Sequence, residues 1–133
     1  MTAEHVPQVA ALEKVCFSDP WSEKSVASEL ENPLSCWMVA LDGETVAGYV
    51  GSQTVMDETD MMNIAVHPDF RRQGVARALI LALIGELRKR GSRCVLGFMV
   101  NGREHVNAAL IAVLLRCGNC HIVLVAQLLY ILL

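Results

Sequence analysis

The stretch from residue 61 to residue 100 constrains the fold most, because two apolar runs flank a strongly periodic segment. The apolar residues of that segment follow steps of three, one, three, one and three: Ala76, Leu79, Ile80, Leu83, Ile84 and Leu87. This spacing places them on one face of a helix. The basic residues 88–90 suit the negative end of the helix dipole, and Gly91 supplies a left-handed stop. A strand at 61–66, this helix and a strand at 94–100 predict a crossover that makes the two strands parallel.

The N-terminal residues predict two short helices. Thr2 can cap a first helix, which the breaker Ser18-Asp19-Pro20 ends. Ser22 can cap a second helix, and Asn32-Pro33 ends it because a residue before proline avoids the helical region.

A β-hairpin is predicted next. The apolar runs 36–41 and 45–55 flank Asp42-Gly43, and this dipeptide is typical of a tight two-residue turn. An acidic turn at 57–60 then leads into the strand at 61–66.

The remaining residues predict a helix at 106–115 and a strand region at 121–133. The complete order predicts an α/β (α+β mixed) fold with a mixed, mostly antiparallel sheet and helices on both faces. The length of 133 residues suits one domain that spans the whole chain, with an atypical part from about residue 99.

Composition and charge narrow the possible classes of protein. Five cysteines form an odd number and no leader opens the chain, which disfavours a secreted disulfide framework and predicts a cytoplasmic protein. Polar residues divide the apolar tail into pieces shorter than the roughly 18 residues of a spanning helix, so no membrane partner is expected. The basic residues lack interleaved aromatic residues, so no direct nucleic-acid binding is expected either.

Charge is distributed unevenly along the chain. Residues 1–60 carry eleven acidic and two basic side chains, whereas residues 61–133 carry three acidic and nine basic side chains. Such a division provides one region for a cationic partner and another for an anionic ligand, unless it is only an incidental bias of solvated faces.

The link between the strand at 61–66 and the following helix has the features of an anion site. The first amides of a helix lack partners and lie at the positive end of its dipole, and Gly74 permits a ligand to approach them closely. Arg71, Arg72 and Arg77 add guanidinium groups that suit phosphate oxygens. The pattern is neither a P-loop nor a dinucleotide fingerprint. It therefore predicts a different ligand with two adjacent phosphates, the alternative being an exposed basic turn.

The segment Arg71-Arg72-Gln73-Gly74-Val75-Ala76 resembles the pyrophosphate loop of the GCN5-related N-acetyltransferase family. That loop has Arg or Gln, two residues, Gly, one residue, and Gly or Ala. The preceding "MMNIAVHPDF" is similar to the fourth strand of the family. The resemblance implies acetyl-CoA as co-substrate, with its pyrophosphate held at the loop. It also implies that the backbone of Ile64, Ala65 and Val66 pairs with the pantetheine arm as with an added strand.

A second segment resembles one subgroup of that family. Phe17, Pro20, Trp21 and Ser22 match the Phe-x-x-Pro-Trp-Ser segment of enzymes that acetylate the N-terminal alanine of a small-subunit ribosomal protein. The resemblance covers residues 1 to about 98 and implies the N-terminal tail of a ribosomal protein as partner. For Trp21 alone, the alternative is a core anchor between two helices.

The later residues depart from the subgroup. Its fifth-strand Glu-Val-Arg corresponds to Met99-Val100-Asn101, and its later tyrosine corresponds to Leu114, so the base and the acid are missing. Asn107 matches an asparagine of the family and is predicted to contribute to cofactor binding. These departures favour two further hypotheses: a catalytically impaired acyl-CoA-binding module, and a tail that is degenerate or out of the ancestral reading frame.

Other candidate catalytic or metal-binding residues have less support. Glu104 or His105 could replace the base and Tyr130 the acid, but ordinary loop and strand roles are favoured, so the catalytic residues stay unknown. The segment from Cys117 to His121 fits the Cys-x-x-Cys-His pattern of c-type haem, which would require export. A structural zinc would need ligands such as Cys94 in no familiar spacing, so no metal is predicted.

Overall fold

The computed structural model describes residues 1–96, 115–117 and 120–122. The helical elements are a 3-10 turn at Ala3–His5, α1 (Val6–Cys16), α2 (Glu23–Ser28), a second 3-10 turn at Pro68–Phe70, and α3 (Val75–Lys89). The strands are β1 (Ser35–Asp42), β2 (Thr45–Val55), β3 (Glu58–Val66), β4 (Cys94–Leu96), β5 (Leu115–Cys117) and β6 (Cys120–Ile122). Among the described residues, no helix is long and apolar enough to cross a membrane.

The main sheet has the strand order β1-β2-β3-β4. The first three strands are antiparallel neighbours, and β4 runs parallel to β3, with Cys94–Leu96 opposite Glu58–Asp60. The parallel pair is the product of the crossover through α3. The prediction of a mixed, mostly antiparallel sheet is confirmed. Strands β5 and β6 form a separate antiparallel pair.

Helices cover both faces of the main sheet, as predicted. On one face, apolar residues of α3, including Leu79 and Leu83, pack against Val50 and Ile64. On the other face, Val9 and its neighbours in α1 pack against the aromatic side chains of the sheet. The pleat explains this division, because successive residues of a strand point to opposite faces.

The two N-terminal helices form where the sequence predicts them, but the start of α1 and the end of α2 differ from the prediction. The Ser22 hydroxyl oxygen accepts a hydrogen bond from the Ser25 amide at 3.0 Å, which confirms Ser22 as the cap of α2. Thr2 precedes the 3-10 turn, and α1 itself begins only at Val6. The predicted end at Asn32-Pro33 is wrong, because α2 ends at Ser28 and the Glu29 amide already bonds the Val26 carbonyl in a tighter turn.

Two predicted turns are shifted in the structure. The β1–β2 turn consists of Gly43 and Glu44, because Asp42 still pairs with Thr45. The acidic turn predicted at 57–60 is also wrong, since β3 begins at Glu58. Residues 58–61 alternate between exposed and buried positions, which is the period of a strand, so the two exposed carboxylates lie on its solvent side.

The helix α3 matches its predicted pattern closely. All six residues of the predicted apolar face are buried, and Gly91 follows the helix with a φ of +84°. The strand predicted at 94–100 is described only over Cys94–Leu96, and the strand region at 121–133 only at its start. The helix predicted at 106–115 lies outside the described residues, apart from Leu115, which belongs to β5.

Candidate functional site

Strand β3 presents backbone groups on the side away from β2. The His67 amide donates to the Ala47 carbonyl at 2.9 Å. Because an antiparallel ladder alternates, the adjacent Val66 directs its N–H and C=O away from β2, and Ile64 does the same. Strand β4 pairs with β3 only at Glu58–Asp60. Residues 61–66 of β3 therefore have an edge without a strand partner among the described residues.

A β-bulge lies where this edge begins. Gly51 of β2 faces Asn63, and Ser52 faces Met61, so Met62 has no opposite residue on β2. A bulge bends its strand and increases its twist. This distortion separates the part of β3 that pairs with β4 from the part that presents the open edge.

The N-terminus of α3 lies just beyond the end of β3. The first helical hydrogen bond of α3 joins the Ala78 amide to the Gly74 carbonyl at 3.0 Å, so the amides of residues 75–77 precede it. Gly74 occupies the cap position with a φ of +82° and provides no side-chain acceptor. A Cβ atom at Gly74 would meet no atom within 4 Å. The space beside Gly74 is thus open at the positive end of a 15-residue helix, which is suited to an anion.

The side chains of the loop do not all face that helix end. The Arg71 Nε atom donates to the Val66 carbonyl at 3.1 Å, and Arg71 Nη2 lies 3.7 Å from Cys16 Sγ. The Gln73 side-chain amide donates to the Asp69 carbonyl at 3.0 Å. Arg72 is exposed and has a φ of +62°. The loop is therefore folded back onto the open edge of β3 at Val66.

Helix α1 ends against the same part of β3. The Cys16 thiol lies 3.8 Å from the Val66 carbonyl oxygen, and burial raises the pKa of this thiol despite the nearby Arg71 guanidinium. The residues that connect α1 to α2 therefore leave the helix beside the open edge. In this connection, the half-buried Trp21 packs on Trp37 of β1 with ring centroids 5.5 Å apart, at the margin of the core.

Sequence reasoning missed a buried carboxylate, Glu13. One of its oxygens accepts hydrogen bonds from the Tyr49 hydroxyl and from the Asn63 side-chain amide, the latter at 2.9 Å. The other accepts from the Trp21 backbone amide at 2.9 Å. Burial raises the pKa of Glu13 above 4.5, although the hydrogen bonds from Trp21 and Asn63 oppose this shift. The available signal was its position one turn after Val9, on the apolar face of the first helix.

The structure brings most of the predicted cofactor-binding residues to one end of β3. Ile64, Ala65 and Val66 are the last three residues of β3. The loop from Arg71 to Ala76 follows after the 3-10 turn at Pro68–Phe70. Asn107 lies outside the described residues, as do the candidate substitutes for the base and the acid: Glu104, His105 and Tyr130. The positions at which the subgroup's base and acid are missing also lie outside them: Met99, Val100, Asn101 and Leu114. Among the described residues, no group of three or more His, Cys, Asp or Glu could hold a metal ion.

An open strand edge that meets a helix N-terminus across a glycine loop defines a class of protein that binds an extended, phosphate-bearing ligand. Comparison with known proteins specifies this class. Residues 6–118 match the model of the acetyltransferase (GNAT) family, and the chain belongs to this family. This confirms the family resemblance that the loop and the preceding strand indicate.

Individual relatives are consistent with that assignment. The chain is 40% identical over 86 residues to the [ribosomal protein bS18]-alanine N-acetyltransferase of Escherichia coli K12. The matched region covers 65% of this chain and 57% of the relative. The crystal structure of the ribosomal-protein-S18-alanine N-acetyltransferase from Escherichia coli superposes with a TM-score of 0.63 at 35% identity, covering 70% of this chain and 59% of that one. The chain thus spans less than two thirds of the length of these relatives.

A more distant structure shares the fold. The PaiA N-acetyltransferase from Thermoplasma acidophilum, solved in complex with coenzyme A, gives a TM-score of 0.54 at 14% identity. It covers 69% of this chain and 71% of that structure.

Proposed function

We propose that the protein transfers an acetyl group from acetyl-CoA to an N-terminal α-amine, the alanine of a small-subunit ribosomal protein. The observation that carries this proposal is the meeting of the open β3 edge with the uncapped amides of α3. One anionic, strand-like ligand can occupy both, and acetyl-CoA has this shape: a diphosphate followed by an arm with two amide groups.

The coenzyme has a clear place in this geometry. Its diphosphate would accept hydrogen bonds from the amides of residues 75–77, with Gly74 leaving room for the approach. The arm would pair with the outward N–H and C=O groups of Ile64 and with the outward N–H of Val66, whose C=O accepts from Arg71 Nε. The exposed Arg72 and Arg77 would add charge around the phosphates. Coenzyme A in the Thermoplasma acidophilum relative is consistent with such a ligand.

The acceptor is proposed from the relatives and from the chain's own segment at 17–22. The E. coli relatives are named for acetylation of an alanine of ribosomal protein bS18. An N-terminal amine has a pKa of about 7.7 to 8.0 and is partly neutral near pH 7, so it needs less help from a base than lysine does. The acidic residues of the N-terminal half would favour a basic ribosomal tail.

A second function is favoured by one specific observation. The positions that correspond to the subgroup's base and acid hold Met99-Val100-Asn101 and Leu114, none of which can transfer a proton. The protein would then bind an acyl-CoA without turnover. A coenzyme thiolate has a pKa of about 8.5 and can leave without full protonation, so we retain catalysis as the primary proposal.

Mass spectrometry separates these functions. The protein is incubated with acetyl-CoA and a peptide that begins with alanine and has a ribosomal-protein sequence, and a gain of one acetyl group is measured. The matched control peptide has a blocked N-terminus. Acetylation of the free peptide alone supports the enzyme, coenzyme binding without acetylation supports the binding module, and absence of coenzyme binding by calorimetry overturns both.

We also propose that the protein is cytoplasmic. Five cysteines are an odd number, and Cys16 and Cys36 are free thiols in the structure. A reducing cytoplasm, where ribosomal proteins are synthesised, suits this composition. The single-domain organisation over residues 1–133 stays a prediction.

A further inference from the structure

Among the residues that the structure describes, Glu13 is the one buried acidic or basic side chain, and it is 0% exposed. Its three hydrogen-bond donors belong to three different parts of the chain. Trp21 lies in the connection from α1 to α2, Tyr49 lies in β2, and Asn63 lies in β3. A single side chain of α1 thus joins this connection to two strands.

Stability alone does not account for a carboxylate at this position. Removing a charged group from water is unfavourable, and replacing a buried ionic group by an apolar side chain of similar volume is often neutral or stabilising. The neighbouring positions of the same helix face hold Val9 and Leu12, so the site already has apolar surroundings. The carboxylate instead fixes the relative positions of its hydrogen-bond donors, because a buried carboxylate requires donors at defined distances and angles.

Asn63, the donor on β3, lies near the reactive end of the proposed coenzyme site. The loop contacts the open edge at Val66 through Arg71, so a ligand arm that runs from the loop along β3 meets Val66 first and Ile64 next. Its reactive end then lies toward Asn63 and the bulge at Met62. Asn63 is therefore beside the end of the edge where the thioester of acetyl-CoA would lie.

The second donor lies in the connection that borders this edge. Residues 17–22 begin directly after Cys16, whose thiol is 3.8 Å from the Val66 carbonyl. The Trp21 backbone amide donates a hydrogen bond to Glu13, and the Trp21 ring packs on the Trp37 ring. An acceptor that approaches the thioester from the α1 side of the sheet would therefore lie beside this connection.

We propose that Glu13 is a positioning residue for acyl transfer. By binding Asn63 and the Trp21 amide with one carboxylate, it fixes the α1–α2 connection relative to the reactive end of the β3 edge. The acceptor amine thereby meets the thioester in one orientation. This inference rests on the proposed function, because it assigns the connection a role in placing the acceptor.

The substitution Glu13→Gln tests the inference with little change in shape. Glutamine has one acceptor oxygen in place of two, so it cannot hold the Trp21 amide and the two side-chain donors as they stand. We expect kcat/KM for the alanine peptide to fall about 10- to 100-fold, since a small misplacement of reacting groups has effects of this size. The dissociation constant of coenzyme A should stay unchanged, since we propose that its diphosphate binds the α3 amides and its arm the backbone of β3.

The matched control is Glu29→Gln. Glu29, the C-cap residue of α2, also accepts from three side chains, those of Asn32, Ser35 and Gln53. These bonds join the end of α2 to the following loop, to β1 and to β2, and Gln53 lies opposite Asp60, outside the 61–66 edge. We expect this variant to retain both coenzyme affinity and kcat/KM for the peptide. Equal peptide kinetics in the two variants would overturn the inference, and so would a parallel loss of coenzyme affinity and activity in Glu13→Gln.

A second variant keeps the test decisive if Glu13→Gln does not fold. Asn63→Ala removes only the donor on β3 and leaves Glu13 bound to the Trp21 amide and to Tyr49. It should lower kcat/KM for the peptide while coenzyme affinity persists, and unchanged peptide kinetics would refute the positioning role. A wild-type protein that does not acetylate the peptide refutes the proposed function itself. An active wild-type protein with insensitive variants refutes the role of Glu13 alone.

Discussion

The substitution Gly74→Ala distinguishes a ligand site at the start of α3 from an ordinary helix cap, because the chain contains a matched control. Gly74 has a φ of +82° and Gly91, at the other end of the same helix, has a φ of +84°. In both positions an added Cβ would meet no atom within 4 Å. The two substitutions therefore introduce the same backbone strain and no collision.

The magnitude of that strain follows from the left-handed conformation. Alanine in this region costs roughly 1 to 2 kcal/mol, which the lower entropy of the unfolded chain offsets by about 0.4 to 1 kcal/mol. A net loss of about 1 kcal/mol lowers the Tm of a domain of this size by about 3 to 5 °C. We expect the same decrease for Gly74→Ala and for Gly91→Ala.

Coenzyme binding should separate the two variants. At Gly74 the new methyl group would stand in the open space beside the first amides of α3, where we propose the diphosphate. Loss of one hydrogen bond to a charged group costs about 1.5 to 3 kcal/mol, which weakens the affinity about 10- to 100-fold. At Gly91 the methyl group would stand at the opposite end of the helix, and affinity should match the wild type.

Isothermal titration calorimetry with coenzyme A measures this difference, and thermal unfolding of the three proteins measures the strain. If Gly74→Ala binds coenzyme A as tightly as Gly91→Ala does, while both melt at the same lowered temperature, the α3 amides do not hold the diphosphate. The proposed site would then be refuted without any doubt about folding.

Three further predictions concern the core. Gly51→Ala should destabilise the protein by about 1 to 3 kcal/mol, because its Cβ would lie 2.6 Å from the ring of Trp37, and tryptophan fluorescence during urea unfolding would detect the change. Leu83→Ala, at a fully buried position of α3, should cost about 2 to 5 kcal/mol in the same assay, and a loss below about 1 kcal/mol would contradict its place in the core. Burial raises the pKa of Glu13 above 4.5 in the folded state, so its contribution to stability is fully present below pH 4.5 and is lost as pH rises through the raised pKa. The free energy of unfolding of the wild type relative to Glu13→Gln should therefore decrease with rising pH, and a constant or increasing difference would contradict the shift.

Local features made α3 and its loop predictable. The apolar period of the helix, the glycine stop and the glycine before the helix are all encoded within about 20 consecutive residues. The same holds for the Ser22 cap, which acts on an amide three residues away. The prediction of an anion site at the loop rests on the same local geometry, since the first amides of a helix have no partners within the helix.

The strand ends were less predictable, because pairing partners determine them. Strand β3 extends back to Glu58 since its first residues pair with β2 on one side and β4 on the other. The turn residues Gly43 and Glu44 are fixed by the pairing of Asp42 with Thr45. Exposed carboxylates in 57–60 resemble a turn in composition, and only the sheet shows which of them alternate along a strand.

The sequence by itself determined the family, the glycine loop proposed as an anion site and the helix that follows, because each depends on residues that are neighbours along the chain. Only the tertiary structure decided that Arg71 faces the Val66 carbonyl and that Glu13 joins Asn63 to Trp21. Glu13 and Asn63 are 50 residues apart in sequence. Such contacts form when α1 packs on the sheet, and the burial that makes the Glu13 carboxylate significant is a property of that packing.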